Sequence, residues 1–595
     1  MSFLSNGNGK GAPTSLARIA PGVEVFRNYQ RPWLRGDVLG GITVAAYLVP
    51  QVLAYSNVAG LPPVTGLWAV VPALFVYAFL GSSRQLSVGP ESTTALMTAA
   101  GIAALLAAGA GALNASDIAA LLAIAVGIIC VLGWILRLGF LAELLSKPVL
   151  VGYMAGIAVL MIVGQLDKIM GIDVDGDTLD ALWHAATHLD QAHMPTVWLA
   201  LGTVVALFTF HLLARRWPGP LITMLGAAAI VAIFDLQDYG IDIVGEVPQG
   251  LPDLHVPQVT SIDLWALLPA AIGVAVVAYS DNVLTGRAFA LRRREQIDSN
   301  QEFLALGSAN IAAGLFSGFP VSSSGSRTAI ADTMGARTQL HSLVSMLLVL
   351  ATLLWLGPLI GTFPQAALGG VVVFAAIRLI DVAEFRRFAT FRGSELLLAV
   401  LTTVAVLVLG VLGGIGAAIA MSVLDLFRRI VNPHDGILGY VPGLAGMHDV
   451  DDYPDAVQIP GLVVYRYDAP LFFANSANFL TKAIDSVDTT REVGEVHWLL
   501  LNVEANVEVD LTAIDALDSL RITLEERGVD LALARVKEDL RIPLEAAGFL
   551  DRIGADRVFP TLPTAIAAYA EWYTSAHGEP PPGVTIIPPP VPPSM

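Results

Sequence analysis

The sequence predicts a polytopic α-helical membrane protein with about fourteen spans, followed by a C-terminal α/β domain. Hydrophobic residues make up 55% of the 595-residue chain, whereas charged residues make up only 14%. Runs such as 118–136, 197–213 and 396–412 are apolar over about the 17–25 residues that a bilayer-spanning helix needs. After residue 432 the apolar runs stop, and short β-like segments then alternate with helical patterns.

The membrane part of the sequence has two corresponding halves. A span that begins near Val38 corresponds to one that begins near Leu264, and a break at 89–90 corresponds to a break at 324–325. This spacing predicts seven spans followed by seven more. An odd number of spans per repeat inverts the second copy, so the two broken helices enter the membrane from opposite faces and meet near its middle.

The expected boundaries and orientation follow from these patterns. Basic residues cluster in alternate loops, which favours cytoplasmic N- and C-termini, and the N-terminus lacks the pattern of a cleavable signal. We expect an N-terminal segment (1–36), a transmembrane domain (37–431, with repeats at about 37–235 and 264–431), a linker (432–455), the α/β domain (456–575) and a disordered proline-rich tail (576–595).

Glycine, proline and serine interrupt two apolar segments, SVGPESTTALM (87–97) and GFPVSSSGSRTAI (318–330). A helix that begins in mid-membrane leaves unpaired N–H groups and a positive dipole end inside the protein, which suits a small anion. Alternatively, the small residues only allow close helix packing. The candidate anion-binding residues are Gly89, Ser92 and Thr93 in the first segment, and Ser323, Ser324, Gly325, Ser326 and Arg327 in the second.

Two carboxylates in these apolar surroundings are candidates for coupling to a proton or sodium ion. Asp281 follows a long apolar run, where a carboxylate is costly unless it is paired, hydrated or protonated. The alternative role is a structural ion pair with Arg327 or Arg287. Glu91 stands at the start of the first half-helix, where the dipole favours a negative side chain that would oppose an anion. It is either a protonatable coupling residue or an ordinary helix-start carboxylate.

The segments 37–68, 76–90 and 299–329 resemble the signatures of the sulfate permease (SulP) family of anion transporters. The resemblance implies alternating access, in which a core bundle moves against a gate bundle, and a homodimer. It places Gln51 near the pore, although polar packing is an equal explanation, and an acidic residue linked to ion coupling at Asp281. The pair Asp281 and Thr285 resembles the sodium site of the sodium-dependent bicarbonate transporters.

The C-terminal pattern is similar to the STAS domain that completes most members of that family. In soluble relatives, a phosphorylated serine lies in an Asp-Ser-Ser/Thr-Gly turn. The corresponding residues here are 510–513, with Thr512 as the only hydroxyl, so we expect a structural and dimer-contact role instead of a phosphorylation switch. The predicted strands are 462–467, 496–503 and 529–535, and the predicted helices are 474–486, 511–527, 539–547 and 562–573.

No catalytic constellation, cofactor motif or certain metal site is present in the sequence, and nothing indicates a nucleic-acid partner. The leading hypothesis is a secondary transporter in a bacterial inner membrane, with sulfate the favoured substrate because serines beside Arg327 suit a tetrahedral divalent oxyanion. Bicarbonate or C4-dicarboxylates are alternative substrates on the same scaffold. An uncoupled anion channel or exchanger and a membrane-tethered STAS signalling protein are alternatives of other classes.

Overall fold

The computed structural model describes residues 19–107, 114–139, 146–171, 178–214, 217–246 and 264–582, together with 248, 250 and 254. Residues 1–18 of the predicted N-terminal segment and 583–595 of the predicted tail lie outside the described residues. The chain forms two compact units, and the division falls between Ser422 and Val423. We call them the membrane unit and the C-terminal unit.

The first half of the membrane unit is helical apart from one short strand, β1. In chain order it contains α1 (Pro21–Arg27), α2 (Leu34–Val58), α3 (Val64–Leu80), β1 (Val88–Gly89), α4 (Ser92–Ala107), α5 (Ala115–Ile135), α6 (Lys147–Val163), α7 (Leu166–Met170), α8 (Thr178–Thr187), α9 (Met194–Leu213) and α10 (Gly219–Ile233). Side-chain caps fix some of the starts: Asn114 accepts a hydrogen bond of 2.8 Å from the Asp117 N–H at the start of α5.

The second half has the same order of long helices around its own short strand. It contains α11 (Leu264–Arg293), α12 (Ser299–Leu315), β2 (Ser322–Ser323), α13 (Gly325–Thr333), α14 (Leu340–Trp355), α15 (Gly357–Gly361), α16 (Gln365–Leu379), α17 (Val382–Phe391) and α18 (Gly393–Val431). Gly410 divides α18 into two helices, since its φ of 72° and ψ of −177° are not helical. A residue without Cβ adopts this backbone conformation at little cost.

The predicted number of membrane-crossing segments is confirmed. Seven helices are long and apolar enough to span a bilayer, and four further apolar helices are shorter. When α12, the half-helix α13 and the two parts of α18 are included, the described residues give fourteen segments in two sets of seven. Large apolar side chains such as Trp198, Leu213 and Val408 are exposed on the membrane unit, as expected for a lipid-facing surface.

The two helix breaks meet inside the membrane unit. Strands β1 and β2 pair antiparallel, with Val88 opposite Ser323 and Gly89 opposite Ser322. The Ser324 N–H extends this contact by donating to the Ser87 carbonyl at 2.9 Å. Because α4 and α13 begin within three residues of these strands, both half-helices start at the same place, as the inverted repeat predicts.

Two fully buried carboxylates connect loops to helices in the membrane unit, and the sequence analysis did not single them out. Glu302 accepts hydrogen bonds from the Tyr77 hydroxyl, the Ser82 N–H and hydroxyl, and the Asn282 amide, at 2.6 to 2.8 Å. Asp37 accepts hydrogen bonds from Tyr29, Arg337 and Thr338. Hydrogen-bond donors of the protein itself therefore compensate the burial of each carboxylate.

The C-terminal unit contains a six-stranded mixed sheet in the order β4-β3-β5-β6-β7-β8, in which β5 to β8 are parallel. Its elements are β3 (Asp435–Tyr440), β4 (Met447–Asp449), β5 (Gly461–Tyr467), α19 (Ser476–Arg491), β6 (Val496–Asn502), α20 (Leu511–Glu526), β7 (Asp530–Ala534), α21 (Glu538–Ala546), α22 (Phe549–Ile553), β8 (Val558–Phe559) and α23 (Leu562–His577). Strands β3 and β4 lie in the segment 432–455 that we expected to be a linker. Their short length and their glycine and aspartate residues resemble loop sequence.

The sheet separates two hydrophobic clusters. Along β5, Val463, Tyr465 and Tyr467 contribute to one cluster, whereas Leu462 and Val464 contribute to the other. This alternation follows from the two-residue period of a strand. The first cluster is covered by α19 to α22 and the second by α23, so the predicted α/β architecture is confirmed.

The turn before α20 is built by Asp510. Its carboxylate accepts hydrogen bonds of 2.8 Å from the N–H groups of Ala513 and Phe473. Asp510 is thus the N-cap of α20 and also holds the loop between β5 and α19 close to it. Thr512 is exposed in the first turn of the same helix.

Candidate functional site

Glu91 caps the first half-helix. Its carbonyl accepts the first helical hydrogen bond, from the Ala95 N–H at 2.9 Å. Its carboxylate also turns back on the helix and accepts from the Thr93 N–H at 2.9 Å and from the Ser92 hydroxyl at 2.7 Å. Of the predicted residues in this segment, Ser92 and Thr93 therefore contact Glu91 directly.

Gly89 lies in β1, two residues before this cap, where there is no room for a side chain. A Cβ atom added to Gly89 would lie 2.7 Å from Val70 Cγ2 and 3.3 Å from Arg327 Nη2. The glycine therefore allows Arg327 of the second repeat to approach the backbone of the first.

Ser324 caps the second half-helix, where it holds the position that Glu91 holds in the first. Its carbonyl accepts from the Thr328 N–H at 2.9 Å, and its hydroxyl lies 3.2 Å from the Ser326 hydroxyl. The N–H groups of residues 325–327 precede that first helical bond, so they have no acceptor within the helix. Gly325 is exposed and Ser326 is half-buried, in contrast to the buried serines that precede them.

Arg327 links the two breaks from inside the protein. Its side chain is fully buried, and Nη1 donates to the Pro90 carbonyl at 3.0 Å. Nε and Nη2 are buried without a hydrogen-bond partner among the described residues. A buried guanidinium with unused donors is costly, and an oxyanion is the kind of group that would satisfy it.

Asp281 of α11 lies beside the second break and is half-buried. Its Oδ2 is 3.5 Å from the Ser322 hydroxyl and 3.4 Å from the Ser323 hydroxyl, which are long distances for hydrogen bonds between oxygen atoms. The side chain of Thr285, one helical turn further on, also interacts with this carboxylate. Within the described part of the chain, Arg327 forms no ion pair with Asp281.

Two residues that the sequence analysis did not select contact this region, and a third is the chain neighbour of one of them. Tyr55 of α2 is buried and lies close enough to Ser92, Glu91 and Arg327 to interact with all three. Met154 of α6 is the second, and its sulfur lies 3.6 Å from the Thr93 hydroxyl of α4. The hydroxyl of the neighbouring Tyr153 is buried without a described partner. Aromatic residues in apolar helices give no sequence signal that separates them from ordinary core residues.

Gln51, which was predicted to lie near the pore, is also buried in α2. Its Oε1 atom has no hydrogen-bond partner among the described residues. It lies one helical turn before Tyr55, on the helix that contributes Tyr55 to the region around Glu91.

The region therefore combines donors for an anion with oxygen ligands for a small cation. Arg327 and the unpaired N–H groups of α13 are donors, and Asp281 with its hydroxyl neighbours provides hard oxygen atoms. Among the described residues, no group of three or more histidine, cysteine, aspartate or glutamate side chains is arranged to hold a metal ion.

Comparisons with known proteins agree with this architecture. The model of the sulfate permease family matches residues 34–402, and that of the STAS domain matches residues 453–565. A probable sulfate transporter of Mycobacterium tuberculosis is 56% identical over 552 residues, which are 92% of this chain and 98% of the relative.

Two solved structures are also similar. That of SLC26A9 has a TM-score of 0.84 at 22% identity, covering 96% of this chain and 99% of that one. The transmembrane domain of the cyanobacterial bicarbonate transporter BicA has a TM-score of 0.58 at 24% identity, covering 66% of this chain and 98% of that one. From the family model and the mycobacterial relative together, the chain belongs to the sulfate permease family of anion transporters, with a C-terminal STAS domain.

Proposed function

We propose that the protein is a secondary active transporter of a small anion, with sulfate the favoured substrate, and that the anion binds between the N-termini of α4 and α13. The observation that carries the proposal is the buried Arg327, whose Nε and Nη2 lack partners where the two half-helices begin. A fixed cation together with unpaired N–H groups offers an oxyanion several donors without placing a mobile charge in the membrane.

Sulfate is favoured over other anions by chemistry and by similarity. Hydroxyl groups of Ser324 and Ser326 flank the N–H groups of α13, so donors approach from several directions, as a tetrahedral oxyanion requires. The mycobacterial relative is named a probable sulfate transporter. Bicarbonate is the main alternative, since the structurally similar BicA is a bicarbonate transporter, and C4-dicarboxylates are a second.

Asp281 and Thr285 are the proposed site of the coupling ion, either a proton or sodium. The contacts of the Asp281 carboxylate with Ser322 and Ser323 are long, and Thr285 adds another hydroxyl beside it, so the carboxylate remains able to bind a proton or to contribute to a ring of oxygen ligands. Glu91 is a second carboxylate at the same place and also a candidate for the coupling proton. Binding of the cation beside Arg327 would offset the repulsion between these carboxylates and an incoming anion.

In alternating access, the core bundle, which carries the site, would move against the gate bundle, which packs against it. We assign the contact between Thr93 of α4 and Met154 of α6 to that boundary. We further propose a bacterial inner-membrane location, cytoplasmic termini, and a homodimer in which the STAS domain has a structural and dimer-contact role. The Asp510 cap, with Leu511 in place of the usual serine and Thr512 as the only hydroxyl of the turn, supports this role over a phosphorylation switch.

The test is uptake of labelled sulfate, bicarbonate and fumarate into proteoliposomes under an imposed proton or sodium gradient. Asp281→Asn should abolish gradient-driven uptake of the transported anion. Asp117→Asn, a similar change at the start of another membrane helix, should leave uptake within about twofold of wild type.

Each of the remaining outcomes has a distinct meaning. If uptake by wild type does not depend on either gradient, and Asp281→Asn takes up the anion equally well, coupling is contradicted and an uncoupled carrier is favoured. If all three anions stay outside under both gradients, the proposed substrates are wrong.

A further inference from the structure

The two half-helices differ in the residue that caps them. Glu91 and Ser324 occupy equivalent positions, because each accepts the first helical hydrogen bond of its half-helix through its carbonyl. In the second repeat the cap is a short hydroxyl side chain, which leaves the N–H groups of α13 unoccupied by a carboxylate. In the first repeat the cap is a carboxylate. The inverted repeat is therefore asymmetric at the point where an anion is expected.

The Glu91 carboxylate is itself bound as an oxyanion would be. Its Oε2 accepts from the Thr93 N–H at 2.9 Å and from the Ser92 hydroxyl at 2.7 Å. These are the donors that the N-terminus of α4 could offer to a ligand. Ser, Asp and Asn are the usual side-chain caps, so a longer glutamate bent back on its own helix is an uncommon choice.

The charges around Glu91 make this arrangement sensitive to its protonation. The charged or titratable groups that interact with it are Asp281 from α11, Arg327 from α13 and Tyr55 from α2. Arg327 is the one cation of this group, whereas Glu91 and Asp281 are two carboxylates that interact with each other. A divalent anion added beside two ionised carboxylates would meet more negative than positive charge, so neutralisation of one of them favours binding.

We propose that Glu91 is a tethered anion that occupies the α4 half of the substrate site, and that the substrate binds there when Glu91 takes up a proton and releases the Ser92 and Thr93 donors. The inference rests on the proposed function, because it assumes that the transported anion binds between the two half-helices. It assigns to Glu91 a role in binding that differs from coupling at Asp281: the side chain competes with the substrate for the same N–H groups.

The experiment is equilibrium binding of labelled sulfate to the purified full-length protein at about pH 5.5 and about pH 8, for wild type, Glu91→Gln, Glu91→Ala and Asp117→Asn. Binding that requires one proton weakens up to tenfold per pH unit above the pKa of the group, so wild-type Kd should rise at least about tenfold between the two pH values. Both Glu91 variants should bind at least about tenfold more tightly than wild type at the higher pH, and this difference should become smaller at the lower pH. The Asp117 variant should follow wild type.

Two results would overturn the inference. If both Glu91 variants, folded as judged by their melting temperatures, bind sulfate more weakly than wild type at both pH values, Glu91 is a cap that organises the site. If their affinity and its pH dependence equal those of wild type, Glu91 does not compete with the anion. Absence of sulfate binding in all four proteins would also contradict it.

Gradient-driven uptake separates this inference from the proposed function. Tight, less pH-dependent binding in the Glu91 variants without uptake by wild type would support the tethered anion and contradict secondary transport of sulfate. Uptake by wild type, combined with binding that is indifferent to Glu91, would support the transporter and contradict the tethered anion.

Discussion

At the scale of single residues, the carboxylates of the membrane unit fall into two kinds. Glu302 is fully buried and accepts four hydrogen bonds of 2.6 to 2.8 Å, so its charge is compensated by the fold. Asp281 is half-buried, and its contacts with the hydroxyls of Ser322 and Ser323 are long, at 3.5 and 3.4 Å. Glu302 therefore has a structural role, whereas the Asp281 carboxylate can still accept hydrogen bonds from a ligand or bind a cation.

Glu302→Ala should therefore destabilise the protein far more than Asp281→Asn does. The substitution leaves the Ser82 N–H and the Asn282 and Tyr77 side chains without their acceptor, at about 1–3 kcal/mol for each buried group. The measurement is the apparent melting temperature of the purified protein in detergent.

Glu295→Ala is the matched control for that prediction. Glu295 is partly exposed, pairs with Arg84 at 3.7 Å and accepts a single hydrogen bond of 3.2 Å from the Gln85 amide, so its loss should cost about 1–2 kcal/mol, less than the loss of the three donors to Glu302. Equal melting temperatures for the Glu302 and Glu295 variants would show that the buried network contributes no more than a surface pair.

At the scale of elements, glycines set the closest approaches between helices. A Cβ added to Gly127 of α5 would lie 2.6 Å from the Gly307 carbonyl of α12, and one added to Gly152 of α6 would overlap the Ala399 carbonyl of α18. The Thr403 hydroxyl adds a hydrogen bond of 2.9 Å from α18 to the Gly152 carbonyl. Small residues at such crossings let helices pack closely in a bilayer, where the hydrophobic effect does not drive association.

Gly152→Val should lower the melting temperature and the yield of folded protein, because backbone atoms of α18 would have to move. Overpacking of this kind costs about 1–3 kcal/mol. Gly202→Val is the control, since a Cβ at Gly202 of α9 meets no atom within 4 Å. A Gly152 variant as stable as the Gly202 variant would mean that α6 and α18 separate at little cost.

At the scale of the whole molecule, the two units have separate hydrophobic clusters. The clusters on the two faces of the sheet contain only residues of the C-terminal unit. We therefore expect residues 432–582, produced alone, to fold and to unfold cooperatively in urea, as followed by circular dichroism. A gradual, featureless unfolding curve would show that this unit depends on the membrane unit.

The stability of the isolated C-terminal unit should depend on Asp518. Burial raises the pKa of Asp518, but hydrogen bonds and charges from Arg521 and Arg552 outweigh this effect and hold the pKa below its ordinary value. A lowered pKa in the folded state stabilises the protein above the unfolded-state pKa, and this stabilisation disappears as the pH falls through the folded-state pKa.

Asp518→Asn should accordingly lower the urea midpoint at neutral pH and have a progressively smaller effect below about pH 4. Asp515→Asn, an exposed aspartate on the same helix, should change the midpoint little at either pH. A destabilisation by Asp518→Asn that is equally large at neutral and acidic pH would contradict an electrostatic role.

Hydrophobic periodicity was enough to locate most elements. The predicted strands 462–467 and 496–503 correspond to β5 and β6, and the predicted helix 511–527 to α20, within one residue at each end. Strands β3 and β4 were missed because short strands near glycine and aspartate lack a clear alternation, and they form only through pairing with the rest of the sheet.

The sequence by itself determined the membrane class, the inverted repeat, the two breaks and the family, because these depend on local composition, period and motif. Only the tertiary structure brought Arg327 to the Pro90 carbonyl, turned Glu91 back on Thr93 and satisfied Glu302 from three segments. Each of these contacts except the one within Glu91–Thr93 joins residues far apart in the chain. Their roles depend on distance and hydrogen-bond geometry, which residue type and spacing do not encode.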